Sequence, residues 1–214
     1  MKLQFLLFVA LFCALFVTTP GCSDDLGSEA VVLSTEGKSL KGRASNERVR
    51  RAYKDNFDTW YMIVPDTASG WIPPYGPFLT WVPGGGSGNA THMGNASTYF
   101  NQYIPFTPPN INSIPAPVNM FFDAELTVAG YPGIPSTVQT ITFDNKGNSV
   151  WFWGNGSNTS TPISPTRIEF SGTANIVGGT GKFEGATGEV TLLGYFNPED
   201  PQDAGVGYEG WIEY

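Results

Sequence analysis

The sequence has few of the residues on which many enzyme active sites and disulfide-bonded folds depend. Its 214 residues include two cysteines, one histidine and 14% charged residues. A single histidine excludes a metal site built from several imidazole ligands, and two cysteines cannot form a disulfide network. We therefore expect no metal and no cofactor.

Positive charge is also scarce in most of the chain. The formal net charge is −8, and only three basic residues follow position 55, namely Lys146, Arg167 and Lys182. A protein that binds nucleic acid needs a cationic surface that displaces counterions from phosphates. Nucleic acid is therefore excluded as an expected partner.

What the sequence does contain indicates an all-β fold. It has 26 glycines, 17 prolines and 14% aromatic residues, with 41% hydrophobic residues overall. That apolar fraction is enough for a packed core, which argues against disorder. Short β-branched and aromatic runs separated by Gly, Pro and Asn predict many short strands, as in a barrel or a sandwich.

The long apolar run lies at the N-terminus. Residues 3–17 form an apolar run interrupted by Gln4 and are followed by Pro20 and Gly21, which is typical of a secretory signal peptide. Cys22, preceded by a small residue and followed by a serine and two aspartates, resembles the cleavage site of a bacterial lipoprotein signal. Removal of the signal would also remove Cys13, so Cys22 would be the remaining thiol. We expect Cys22 to carry the lipid, including palmitate.

Three segments are predicted: a signal peptide at 1–21, a flexible and disordered tether at 22–55, and an antiparallel β-barrel domain at 56–214. The tether is polar and contains most of the basic residues. The turn-forming run at 144–148 predicts a hairpin. Strands are expected near 57–64, 78–82, 90–100, 118–128, 137–143, 148–153, 166–177, 187–196 and 206–213.

The most distinctive motif is the glycine-rich run from Ile176 to Val190. It has five glycines within eleven residues and leads into a β-rich segment. A phosphate-binding loop would need a helix after the glycines. The run is instead typical of a broad hairpin, and we expect Phe183 to close one end of the barrel.

The segment at 178–188, with the sequence GGTGKFEGATG, resembles the allene oxide cyclase-like barrel families and the related dirigent proteins. The run at 91–94, THMG, resembles a run in exported bacterial proteins with this barrel. The resemblance covers about residues 88–214 and implies an eight-stranded, calycin-like antiparallel barrel. The acidic and amide cluster of the plant cyclases has no counterpart at 57–66. Their trimeric assembly implies a homo-oligomer, either a trimer or a dimer.

Few residues are candidates for chemistry in such a barrel. His92 and Glu184 are the candidate proton-transfer groups, and Asp123, Glu125 and Glu189 are further carboxylates that could pair across a barrel. His92, Trp151 and Trp153 are candidates for contact with a ligand, because large rings either fill a barrel or line a cavity. The same residues also suit a packed core and a solvated strand face.

The sequence therefore predicts a cell-envelope protein that is lipid-anchored to the bacterial outer membrane, and exposure at the cell surface is one of its two orientations there. Its barrel is expected to be non-catalytic and to bind a small apolar ligand or an envelope partner. The alternative is an isomerase or cyclase that acts on an apolar substrate inside the barrel.

Overall fold

The computed structural model describes residues 48–67, 79–105 and 112–214. The predicted signal peptide, Cys22 and most of the predicted tether lie outside these residues. The strands, in chain order, are β1 (Arg50–Tyr61), β2 (Val64–Pro65), β3 (Leu79–Trp81), β4 (Gly84–Ala90), β5 (Gly94–Phe100), β6 (Gln102–Pro105), β7 (Ile114–Pro115), β8 (Thr140–Phe143), β9 (Ser149–Gly154), β10 (Thr159–Ser164), β11 (Arg167–Thr180), β12 (Thr187–Asn197) and β13 (Asp200–Glu213).

Eight of these strands close into an antiparallel barrel. The order around the barrel is β9, β11, β12, β13, β1, β4, β5 and β8, and β8 pairs with β9 to complete the circle. The C-terminal part of β11 pairs with β9, while its N-terminal part pairs with β10 in a hairpin beside the barrel. The predicted all-β fold with an eight-stranded antiparallel barrel is confirmed.

Strand β1 shows how the sequence specifies the barrel interior. Residues at every second position of β1 are buried, and the residues between them are mostly exposed. This alternation is what a pleated strand requires when one face lines a core. The inward residues are Tyr53, Asp55, Phe57, Thr59 and Tyr61. Residues 50–55 are therefore part of the barrel wall. They were assigned to the tether from the sequence because the outward-facing basic residues obscured this alternation.

Helix α1 (Asn119–Val128) replaces the strand that the sequence predicted at 118–128. Val118, Phe122 and Leu126 are buried at intervals of four residues, which is the spacing of one helix face. Adjacent aromatic residues at 121 and 122 had favoured a strand. The helix covers the outer face of β8, where Ile141 and Phe143 belong to the same buried cluster.

Smaller elements cover the end of the barrel at which β1 finishes. Strands β2, β3, β6 and β7 form a four-stranded sheet. Trp81 in β3 contacts Tyr103 in β6, with ring centroids 4.4 Å apart. Among the described residues, no helix is long and apolar enough to span a membrane.

Both sequence motifs with turn chemistry form turns. Asp144 accepts hydrogen bonds from the backbone N–H groups of Lys146 (2.7 Å) and Asn148 (3.0 Å), which fixes the β8–β9 hairpin as predicted. In the glycine-rich run, a single 3-10 turn (Gly181–Phe183) joins β11 to β12. Gly179 permits β9 to lie close against β11, because a Cβ at this position would be 2.2 Å from the carbonyl oxygen of Ser149.

Candidate functional site

One end of the barrel, where β1 begins, is closed by side chains. We call it the plugged end and define it by Phe183 and Tyr214, whose ring centroids are 4.8 Å apart in an edge-to-face arrangement. Phe183 is fully buried, as the sequence predicted for this residue. Behind it, Phe152 stacks on Tyr208 at 4.8 Å. A ligand therefore has no open route past these rings.

The opposite end has more accessible rings. We call it the aromatic mouth and define it by four inward aromatic residues of different strands: Tyr61, Phe100, Phe170 and Phe196. Phe100, Phe170 and Phe196 are only half-buried. Tyr61 and Phe196 meet edge to face at 5.7 Å, and Phe170 lies 6.3 Å from Phe196. Tyr61, Phe100 and Phe196 also share an apolar cluster with Ile104, which belongs to the small sheet that covers this end of the barrel.

Inside the barrel lies a carboxylate with two tyrosines, which we call the Asp55 cluster: Tyr53, Asp55, Thr140, Thr142 and Tyr208. Asp55 is only 3% exposed. Its Oδ2 accepts a hydrogen bond from the Tyr53 hydroxyl at 3.0 Å, and its Oδ1 accepts one from the backbone N–H of Tyr208 at 2.8 Å. The hydroxyl of Tyr208 donates a hydrogen bond to Thr140 Oγ1 at 3.3 Å.

The two hydrogen bonds do not fully offset the burial of Asp55. Burial raises the pKa of Asp55 to about 7, against the opposing effects of the Tyr208 N–H and the Tyr53 hydroxyl. None of the described bases forms an ion pair with Asp55. Burial, followed by the charge of Asp55, raises the pKa of Tyr53 well above its ordinary value. Asp55 is therefore a group that can take up or release a proton near neutral pH.

Two hydroxyls in this part of the interior have no hydrogen-bond partner. Thr98 and Thr142 are paired across β5 and β8, and the Oγ1 atom of each is buried and unpartnered. The Thr142 hydroxyl lowers the pKa of Asp55 and of Tyr53 without reaching hydrogen-bond geometry. Unpartnered buried polar atoms are uncommon, and such atoms are suited to a water molecule or to a polar group of a ligand.

The residues predicted as proton-transfer groups lie elsewhere. His92 is exposed in the β4–β5 turn, where its φ is 68° and its Nε2 lies 3.2 Å from the carbonyl oxygen of Ala52. Glu184 is exposed in the connection after the 3-10 turn. Both residues are outside the plugged end, and Phe183 separates them from the Asp55 cluster. The structure therefore does not bring either residue to the interior.

The two predicted ligand-contacting tryptophans face away from the interior. Trp151 packs in the cluster formed with α1, and its Nε1–H donates to Ser149 Oγ at 2.8 Å. Trp153 shares that outward face of β9, because side chains alternate along a strand. Phe152, between them, is the β9 ring that enters the barrel core. The other candidate acids, Asp123, Glu125 and Glu189, are exposed.

Asp55 itself was missed by reasoning from the sequence. It stands at the boundary assigned to the tether, directly after Lys54. The signal that could have found it is the alternation between the inward positions 53, 55, 57, 59 and 61 and the polar residues Lys54, Asn56 and Asp58. A period of two over nine residues predicts a strand with one buried face, and it places the carboxylate on that face.

A shallow groove of about 620 Å³ lies outside the barrel, across the outer faces of β10, β11, β12, β13 and β1. Gly205 and Gly207 form part of its floor, and Leu193 and Ile163 are exposed along it. It lacks a buried polar group of the kind found in the Asp55 cluster. Among the described residues, no group of three or more His, Cys, Asp or Glu side chains is placed to hold a metal ion.

No family model matches the sequence, and no curated protein matches it. A solved structure of a pterocarpan synthase dirigent protein is similar in backbone path, with 13% sequence identity and a TM-score of 0.46. The alignment covers 84% of this chain and 97% of that chain.

Proposed function

We propose that the protein is a lipid-anchored envelope protein whose barrel binds a small, mainly apolar ligand through the aromatic mouth. The Asp55 cluster would hold the one polar group of that ligand. The anchor is the acylated Cys22, and the proposed location is the bacterial outer membrane. The observation that carries the binding proposal is that the barrel interior holds both the buried Asp55 carboxyl and the unpartnered hydroxyls of Thr98 and Thr142.

The physical argument begins with the cost of burying Asp55. A carboxyl group without a cation in an apolar interior destabilises the folded chain when it ionises. A leucine or an amide of similar size would avoid that cost. Retention of such a group at an energetic cost is typical of functional sites.

The residue types of the interior favour a ligand that is mostly apolar. Rings of the aromatic mouth offer stacking and edge contacts but no charge. Deeper in the barrel, Thr98, Thr142 and Asp55 provide hydrogen-bonding atoms. A molecule with an apolar body and a hydroxyl, carbonyl or amine group at one end would match the apolar rings at the mouth and the polar atoms deeper in the barrel.

The binding proposal is tested on the chain from residue 22 onward with Cys22→Ser, which contains every described residue. The protein is purified from bacteria and extracted with organic solvent, and the extract is analysed by mass spectrometry. We expect one compound in stoichiometric amount. A Phe196→Glu variant, which places a charge in the aromatic mouth, should lose it, and a Leu193→Glu variant on the outer face of the same strand should retain it.

A second readout uses the neutral apolar dye Nile red. Dye fluorescence should rise with the parent chain and with Leu193→Glu, but not with Phe196→Glu. Equal fluorescence from all three proteins, or none from the parent, together with an empty extract, would overturn binding in the barrel. Circular dichroism establishes that both variants are folded.

The anchor is tested separately. Cells supplied with radiolabelled palmitate should label the wild-type chain and leave a full-length Cys22→Ser variant unlabelled. Label on both proteins, or on neither, would refute acylation at Cys22. This outcome is independent of whether the barrel holds a ligand.

The alternative function is an isomerase or cyclase acting in the barrel, and the pKa of Asp55 near 7 favours it because such a carboxyl can carry a proton. His92 and Glu184 lie outside the barrel and are poorly placed for this role. The recovered compound is incubated with the protein in D₂O. Deuterium bound to carbon, lost in Asp55→Asn, would indicate the enzyme, and unchanged mass would favour simple binding.

A further inference from the structure

The charges of the described chain are strongly segregated between the two ends of the barrel. Seven lysines and arginines are described, and six of them lie around the plugged end: Arg48, Arg50, Arg51, Lys54, Lys146 and Lys182. The turns that carry Lys146 and Lys182 meet the β4–β5 turn at this end. The backbone N–H of Lys182 donates to Asn148 Oδ1 at 3.1 Å, and the Lys182 ammonium donates to the carbonyl oxygen of His92.

Acidic residues also lie at this end, and two of them make specific contacts. Asp144 is buried and hydrogen-bonded within its turn, and Glu209 is paired with Lys54 at 3.0 Å. Together with Glu184, Glu189 and Glu213, this end carries five acids against six cations, a net charge of +1. The rest of the described surface carries Arg167 against eight acids: Asp58, Asp66, Asp123, Glu125, Glu169, Glu199, Asp200 and Asp203.

Aromatic rings accompany these cations. The Arg50 guanidinium lies 3.9 Å from the centroid of the Trp211 ring, and that of Arg51 lies 5.1 Å from Tyr214. Both rings are half-buried, and Val49 beside them is 48% exposed. Long basic side chains next to Trp and Tyr are the combination that suits the boundary between lipid head groups and water.

We infer that the plugged end is a docking surface for an anionic lipid bilayer, and that the barrel stands on the membrane with its aromatic mouth facing away. An anionic head-group layer attracts the end rich in cations and repels the acidic remainder of the domain. Strand β1 begins at this end, so a lipid at Cys22 would be joined to the barrel here. From position 22 to position 48, a fully extended chain spans at most about 90 Å.

The inference concerns the orientation of the proposed envelope protein, but it does not depend on acylation. It is therefore tested on the unacylated chain from residue 22 with Cys22→Ser. Sedimentation measures binding to vesicles of phosphatidylglycerol and phosphatidylcholine in equal amounts, and to vesicles of phosphatidylcholine alone. We expect binding to the anionic vesicles, which is lost in about 1 M NaCl because screening shortens the Debye length to about 3 Å.

The triple variant Arg50→Gln, Arg51→Gln and Lys182→Gln should bind the anionic vesicles about 100-fold more weakly, since each cation near such a surface contributes about fivefold. A matched variant lowers the net charge by the same three units elsewhere, through Thr161→Glu, Thr166→Glu and Gln202→Glu. It should bind nearly as well as the parent.

Three results would overturn the inference: no binding of the parent chain, equal loss in both triple variants, or equal binding of the parent to dextran sulfate, a soluble polyanion. Failure here leaves the palmitate and ligand experiments unaffected. The distinction holds because neither of those experiments uses the plugged-end cations.

Discussion

The two ends of the barrel use aromatic residues in opposite ways. At the plugged end, Phe183 is fully buried and held against Tyr214, and basic side chains surround the closure. At the aromatic mouth, Phe100, Phe170 and Phe196 are half-buried, and most of the nearby charges are acidic. The comparison separates rings that are completely buried from rings that keep part of their surface exposed.

If this separation is correct, truncating a ring at each end has different consequences. Phe183→Ala should lower the free energy of unfolding by about 3–5 kcal/mol, because it opens a cavity in a filled part of the core. Phe196→Ala should cost only about 1 kcal/mol, because its ring is already partly hydrated. Denaturant-induced unfolding of both variants measures the difference. Similar losses would mean that the mouth is packed as tightly as the plug.

The next largest effect concerns Asp55 in the interior between the two ends. Its folded pKa of about 7 lies above the ordinary unfolded value near 4. In the unfolded chain the group therefore ionises first, and stability falls as pH rises from about 4 to 7. The total loss from this group is roughly 4 kcal/mol, and below pH 4 both states are protonated, so the term is constant.

An Asp55→Asn variant should lack this component. Its free energy of unfolding, minus that of the wild type, should increase between pH 4 and pH 7 and then level off. Asp58→Asn, an exposed neighbour on the outer face of β1, serves as the control and should leave the wild-type pH dependence in place. Parallel curves for wild type and Asp55→Asn would show that Asp55 does not titrate in this range.

The same comparison explains what could be predicted from the sequence. The barrel and the Phe183 closure were predictable, because turn chemistry, alternation and the glycine-rich run act locally. Gly179 illustrates this, since the close approach of β9 tolerates no side chain at that position. The helix at Asn119–Val128 was mistaken for a strand, because its aromatic pair at 121 and 122 outweighed the four-residue spacing of its buried positions.

The candidate site was less accessible to sequence reasoning. Trp151 and Trp153 were predicted to contact a ligand because of the size of their rings. The register of β9 instead places Phe152 inside the barrel and both indoles outside. His92 was selected because it is the one histidine of the chain. The alternation along β1 places Asp55 on the buried face, but its hydrogen-bond partner, the N–H of Tyr208 153 positions later, depends on the pairing of distant strands. One sequence carries no record of such pairings.

The smallest effect on stability, and the clearest contrast between the two ends, is expected from two exposed ion pairs. Lys54 pairs with Glu209 at the plugged end, and Arg167 pairs with Glu169 near the mouth, each at 3.0 Å. Lys54→Gln and Arg167→Gln should each change the free energy of unfolding by less than about 0.5 kcal/mol, because exposed pairs contribute little. Binding to anionic vesicles should nevertheless fall about fivefold for Lys54→Gln and remain unchanged for Arg167→Gln. An equal fall for both would indicate attraction by overall charge, whereas a fall for Lys54→Gln alone would locate the membrane contact at the end where the chain enters the barrel.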